Sequence, residues 1–127
     1  YGLFLKGESD LVLSYTTSPA YHILEEKKDN YAAANFSEGH YLQVEVAART
    51  AASQQPQLAQ KFLQFMVSPA FQNAIPTGNW MYPVANVTLP AGFEQLTKPA
   101  TTLEFTPAEV AAQRQAWISE WQRAVSR

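Results

Sequence analysis

Asp10-Leu11-Val12-Leu13-Ser14-Tyr15-Thr16-Thr17-Ser18-Pro19 is the stretch whose reading decides the fold. Its first half is a short apolar run with polar neighbours, as expected of a buried strand. Its second half signals a helix start. The Ser18 hydroxyl can accept from free backbone N–H groups, and Pro19 fits a first-turn position, where a missing N–H costs nothing. The spacing predicts a helix over Ala20-Tyr21-His22-Ile23-Leu24-Glu25-Glu26-Lys27-Lys28, stopping near Asp29-Asn30. A strand running directly into a helix is the repeating step of an α/β architecture.

Upstream, Phe4 and Leu5 before Lys6-Gly7 read as the last turn of a helix closed by glycine. The chain opens at Tyr1 with neither an initiator Met nor a signal-like lead, so it reads as a piece of a longer protein cut in mid-helix. Downstream, strands are expected over Tyr31–Phe36 and over Tyr41–Val46, where Leu42, Val44 and Val46 alternate with Gln43 and Glu45. Pro56 opens a helix with Leu58, Phe62, Phe65 and Met66 at three- and four-residue spacing. Ser68-Pro69 opens a short one that ends before Pro76, and Thr106-Pro107-Ala108-Glu109 has capping-box spacing for a last helix. That helix places Val110, Arg114, Trp117, Ile118, Trp121 and Val125 along one side, so Trp117 and Trp121 are expected in a core or an interface.

The composition narrows the function classes. The chain has 127 residues, 46% hydrophobic and 16% charged, enough apolar material for a packed core. Nine Lys+Arg against eleven Asp+Glu leave a net charge of -2, which removes the electrostatic basis for nonspecific nucleic-acid or anionic-membrane binding. No apolar run approaches the roughly 18 residues of a membrane span. The absence of cysteine excludes disulfide frameworks, zinc ribbons and thiol catalysis within these residues.

Catalytic groups are scarce. His22 and His40 are the only histidines and neither sits in a metal-ligand pattern; His22 is expected to face solvent or support a helix end. Glu25-Glu26-Lys27-Lys28 reads as ordinary surface charge pairing on a helix. There is no nucleophile elbow, phosphate loop or dinucleotide fingerprint, and no enzyme site assembles from these residues. Two glycosylation-type tripeptides, at Asn35 and Asn86, carry no weight because such patterns are common by chance.

Two places are more informative. At Tyr15-Thr16-Thr17-Ser18-Pro19, hydroxyls converge with free N–H groups at a helix start, which suits an anion such as phosphate. Tyr15 and Tyr21 would frame the same mouth. A plain helix cap with core tyrosines explains the same residues. In Gly78-Asn79-Trp80-Met81-Tyr82-Pro83, Trp80 and Tyr82 lie in a Gly/Pro-bounded loop, where they can offer flat faces to a heteroaromatic or cationic ligand. The alternative is a loop anchored to the core by its aromatics.

The strings Gly7–Pro19, Ala59-Gln60-Lys61-Phe62-Leu63-Gln64-Phe65-Met66 and Gly78–Pro83 together resemble the thiamine-specific members of the periplasmic solute-binding protein family. The resemblance covers the whole chain and corresponds to the C-terminal portion of such a receptor. It implies part of a two-lobed clamshell with mixed sheets flanked by helices. Residues 1–37 would belong to one lobe, as a strand-helix-strand unit with a ligand-facing turn. Residues 38–127 would supply a hinge crossover strand and C-terminal helices packing mainly on the other lobe. Such a receptor captures thiamine, thiamine monophosphate or thiamine diphosphate between the lobes, in the periplasm, and delivers it to the membrane permease of an ABC importer.

The resemblance implies no catalysis, cofactor, metal, nucleic-acid partner or direct membrane insertion. It places Tyr15, Thr16, Thr17, Ser18 and Pro19 along the ligand, the three hydroxyl residues towards its polar or phosphate end. Tyr21 and Trp80 would pack on its rings, with Tyr82 set further back. It also implies that the family's N-terminal portion completes the pocket. Two other readings remain open: an enzyme of thiamine metabolism on the same two-lobed fold, and a receptor for another solute such as ferric iron.

Overall fold

A computed structural model describes residues 1–126. The elements in chain order are α1 (Gly2–Leu5), α2 (Ser18–Leu24), β1 (His40–Tyr41), α3 (Pro56–Met66), α4 (Pro69–Gln72), α5 (Ile75–Gly78), a 3-10 turn (Ala91–Phe93), β2 (Thr102–Leu103) and α6 (Pro107–Val125). It is a helix-rich α/β chain that divides into two compact units. One unit joins Tyr1–Asn35 with Val44–Lys98; the other joins Phe36–Gln43 with the stretch from Pro99 onward.

In the first unit, α1 closes as its sequence predicts. Gly7 takes φ 75°, its N–H donates to the Phe4 carbonyl at 3.0 Å, and the Glu8 N–H reaches the Leu3 carbonyl at 2.9 Å. This left-handed closure satisfies carbonyls that the helix end would otherwise leave bare. Ala20 of α2 packs with Phe93 and Leu96 in a small buried core, and Leu24, Trp80 and Leu89 lean against it. The approach of α2 to the 3-10 turn is close: a Cβ on Gly92 would lie 2.9 Å from Leu24 Cγ. Farther along, Phe62, Phe65 and Phe71 form a mutual aromatic cluster between α3 and α4.

The second unit is built on a two-residue parallel pair, His40 opposite Thr102 and Tyr41 opposite Leu103. Its long helix α6 begins at the expected capping box. The Thr106 hydroxyl accepts from the Glu109 N–H at 3.2 Å while the Glu109 carboxylate accepts from the Thr106 N–H at 2.8 Å. The Thr106 hydroxyl, which donates to the same carboxylate at 2.7 Å, and then the Thr106 N–H hold the Glu109 carboxyl below its ordinary pKa. Phe105 packs on Trp117 with 5.0 Å between ring centroids.

Several local expectations need correction. Asp10–Tyr15 and Tyr31–Phe36 are irregular, and the strand expected over Tyr41–Val46 contracts to His40–Tyr41. The alternation is present, but a strand also needs a neighbour for its backbone groups. Among the described residues the sheet is this one pair, and Leu13 and Val46 are 94% and 88% exposed. The helix expected to reach Lys28 ends at Leu24. Lys27 turns left-handed at φ 56°, and the Lys28 N–H folds back onto the His22 carbonyl. The segment around Pro76 forms a further helical turn, α5, where a break was expected. Trp117 and Trp121 are exposed among the described residues, which overturns the core half of their expectation and not the interface half.

Candidate functional site

The turn into α2 is held by its own side chains. The Ser18 N–H donates to the Tyr15 carbonyl at 3.0 Å, and Ser18 Oγ accepts from the Tyr15 N–H at 3.3 Å and lies 2.6 Å from Ser14 Oγ. Ser18 is therefore the first helical residue. It ties the turn backwards, where the sequence had suggested a cap reaching forward, and Thr17 occupies the cap position without a side-chain cap bond. Thr17 is buried, and its Oγ1 has no hydrogen-bond partner among the described residues. Leaving a buried hydroxyl unpaired costs about 1–3 kcal/mol. Pro19 is buried beside it, Thr16 is half-buried, and Tyr15 is exposed.

Tyr21 and Trp80 come together from distant parts of the chain. Their ring centroids are 5.2 Å apart at an interplanar angle of 88°, an edge-to-face arrangement. Trp80 takes φ 54°. For a bulky residue this left-handed conformation costs roughly 1–2 kcal/mol and persists only where surroundings over-determine it. Tyr82 lies in the same loop, with its ring 5.6 Å from that of buried Phe93. Burial against the core raises the Tyr82 pKa. Tyr82 thus touches the core through Phe93 on one side only, and it is as exposed as Tyr21, 42% against 41%.

The His22 ring packs edge-on beside this pair, 5.4 Å from that of Tyr21. His22 is 2% exposed, which overturns the solvent-facing half of its expectation, while its place in the last turn of α2 fits the helix-end half. Its Nδ1 lies 2.9 Å from the Glu26 carboxylate and its Nε2 lies 2.8 Å from the Tyr1 hydroxyl. A carboxylate can only accept, so Nδ1 donates to Glu26, while Nε2 and the Tyr1 hydroxyl share the second bond. The His22 ring also packs 4.2 Å from that of Tyr31. The i,i+4 spacing of His22 and Glu26 was legible, but the Tyr1 partner twenty-one residues away was not. Glu26 is more than surface charge: His22 and then Lys28, at 3.1 Å, hold its carboxyl below the ordinary pKa, and Lys28 is raised in return.

Gln72 is another buried polar residue. Only 6% exposed, it donates through Nε2 to the Met66 carbonyl at 2.7 Å and accepts through Oε1 from the N–H groups of Val84, at 2.7 Å, and Ala85, at 3.4 Å. Nothing in its sequence context marks a glutamine for burial.

No family model matches the chain. Across all 127 residues it is 98% identical to the "Thiamine-binding periplasmic protein" of Escherichia coli (strain K12) and 91% identical to that of Salmonella typhimurium (strain LT2). It is 48% identical over 128 aligned positions to the protein of that name in Haemophilus influenzae. A solved "Periplasmic thiamin binding protein" superposes on the whole chain with a TM-score of 0.92 at 98% identity, the chain covering 40% of it. The chain spans 39% of the length of the Escherichia coli and Salmonella proteins. Its similarity is to the periplasmic thiamine-binding proteins, over all of this chain and about two fifths of theirs.

Proposed function

We propose that this chain is part of a periplasmic receptor that captures thiamine or its phosphate esters and hands them to the permease of an ABC importer. The observation that carries the reading is the match of the whole chain, at 98% identity, to a protein named for thiamine binding. The site's chemistry agrees. Thiamine joins a permanently charged thiazolium to an aminopyrimidine, and aromatic rings attract such a ligand by stacking and cation–π contact. Tyr21 and Trp80 supply the rings, Tyr15 borders them, and Tyr82 fixes their loop from behind. Thr16, Thr17, Ser18 and Pro19 form the polar end of the same site, where the unpartnered Thr17 hydroxyl suits the alcohol or phosphate of the ligand.

In this reading the chain contributes to both halves of a two-lobed clamshell. Tyr1–Asn35 and Val44–Lys98 belong together to one lobe, and Phe36–Gln43 with the stretch from Pro99 onward supply the crossover strand and the long helix of the other. The remaining length of the receptor completes the pocket. Binding involves no covalent chemistry, and selectivity comes from aromatic faces, a few hydrogen bonds and the exclusion of water on closure. Calorimetric titration of a full-length receptor carrying this sequence, with thiamine, its two phosphate esters and ferric iron, tests the proposal. Saturable heat with the thiamine compounds alone is expected. Binding of iron in their place, or turnover of thiamine to a product, would replace this reading with one of its rivals.

A further inference from the structure

Trp80 holds an unfavourable backbone conformation in a loop, and a loop left to itself would relax it. Both ends of that loop are tied. At its start, Asn79 Nδ2 donates to the Glu45 carboxylate at 2.8 Å. At its end, the buried amide of Gln72 accepts from the Val84 and Ala85 N–H groups while its own N–H reaches back to the end of α3 at Met66. The two ties bracket Trp80 and Tyr82. The Gln72 end of these bonds is buried while Val84 is 79% exposed, so losing them would release the loop's backbone N–H groups to solvent.

We propose that Gln72 is a positioning residue for ligand capture, with the Asn79–Glu45 bond as its counterpart at the other end of the loop. Together they hold Trp80 left-handed with its ring against Tyr21. The inference rests on the thiamine-receptor reading above, since it assigns Gln72 a part in holding that ligand. A preorganised ring lengthens the bound state, so the effect belongs in release more than in capture.

The test uses a full-length receptor carrying this sequence, with thiamine as the probe, followed by stopped-flow kinetics. Gln72→Met keeps the length of the side chain and removes its hydrogen bonds. It is expected to speed thiamine release by roughly three- to tenfold and to change association by less than about twofold. Acrylamide quenching of Trp80, taken as the difference from Trp80→Phe, should rise in the same variant. In a Trp80→Ala background, Gln72→Met should add nothing further to the release rate. An equal effect with and without Trp80 overturns the proposal, because it would mean general loosening of the fold. If Gln72→Met does not fold, the other tie decides. Asn79→Asp should speed release, and Glu45→Gln in the same chain should restore it by exchanging donor and acceptor; failure of both steps overturns the proposal. A wild-type receptor that takes up no thiamine would remove the reading of the site, and the quenching comparison would then decide alone whether Gln72 holds Trp80.

Discussion

The rings of Tyr21 and Trp80 meet at 88° with their centroids 5.2 Å apart, although fifty-eight residues separate them in sequence. Edge-to-face pairs contribute about 0.5–1.5 kcal/mol beyond the area they bury, and a cation near a ring adds a comparable amount. In a full-length receptor, Trp80→Ala is expected to weaken thiamine binding by on the order of 1–2 kcal/mol. Tyr21→Ala should show a loss of similar size. Calorimetry that finds either affinity unchanged removes that ring from the site.

The turn at Thr16–Ser18 makes a separate prediction about phosphate. Thr17 Oγ1 is buried without a partner, whereas Ser18 Oγ is already engaged with Ser14 and Tyr15. Thr17→Val should therefore cost more affinity for thiamine monophosphate than for thiamine, by about 1 kcal/mol. Ser18→Ala should act more weakly and through the shape of the turn. Equal losses for the two ligands in competition binding would contradict a phosphate-side role for Thr17.

The pH dependence of stability follows from Glu26, whose carboxyl His22 and Lys28 hold below its ordinary pKa. A depressed carboxylate contributes stability that is fully present above its unfolded pKa, roughly 4.3, and is lost as pH falls through the lower folded value. Thermal melts of wild type and Glu26→Gln should differ at neutral pH and converge under acid. Lys28 acts at the other end: its raised pKa supports the fold until pH climbs through the folded value. A difference between the two proteins that stayed constant down to strongly acidic pH would separate Glu26 from this network.

Gly92 is required by proximity. An added Cβ would sit 2.9 Å from Leu24 Cγ and 3.3 Å from both of its methyl carbons. Overpacking of this kind costs about 1–3 kcal/mol, so Gly92→Ala should lower the urea midpoint. Leu24→Ala in the same chain should recover less than the full loss, because it opens space elsewhere in the core. An unshifted midpoint would show that the 3-10 turn yields freely.

Local signals in the sequence were read well where they depend on neighbours in the chain. Thr106 and Glu109 form the box their spacing announces, Gly7 closes α1, and Pro56 and Pro69 open helices as expected. Strands were overestimated, because the alternation of Leu42, Val44 and Val46 records which face is apolar and says nothing of whether a partner edge is present. The burial of His22 and of Gln72 was not legible for a related reason. A polar side chain becomes a buried support only through distant partners, Tyr1 and Tyr31 for one, Val84 and Ala85 for the other. Trp80 and Tyr82 were legible as a pair, and the resemblance set Tyr82 further back, but their contacts were not legible: Tyr82 packs on Phe93 and Trp80 turns to Tyr21.

The most direct test observes Trp80 itself while the ligand binds. A full-length receptor carrying this sequence can be grown with fluorotryptophan and its Trp80 fluorine resonance assigned by comparison with Trp80→Phe. Titration with thiamine should move that resonance saturably, at concentrations that match the calorimetric affinity. A Trp80 resonance that stays in place at saturating thiamine would contradict the central claim that this loop, with Tyr21, forms the ligand's aromatic wall.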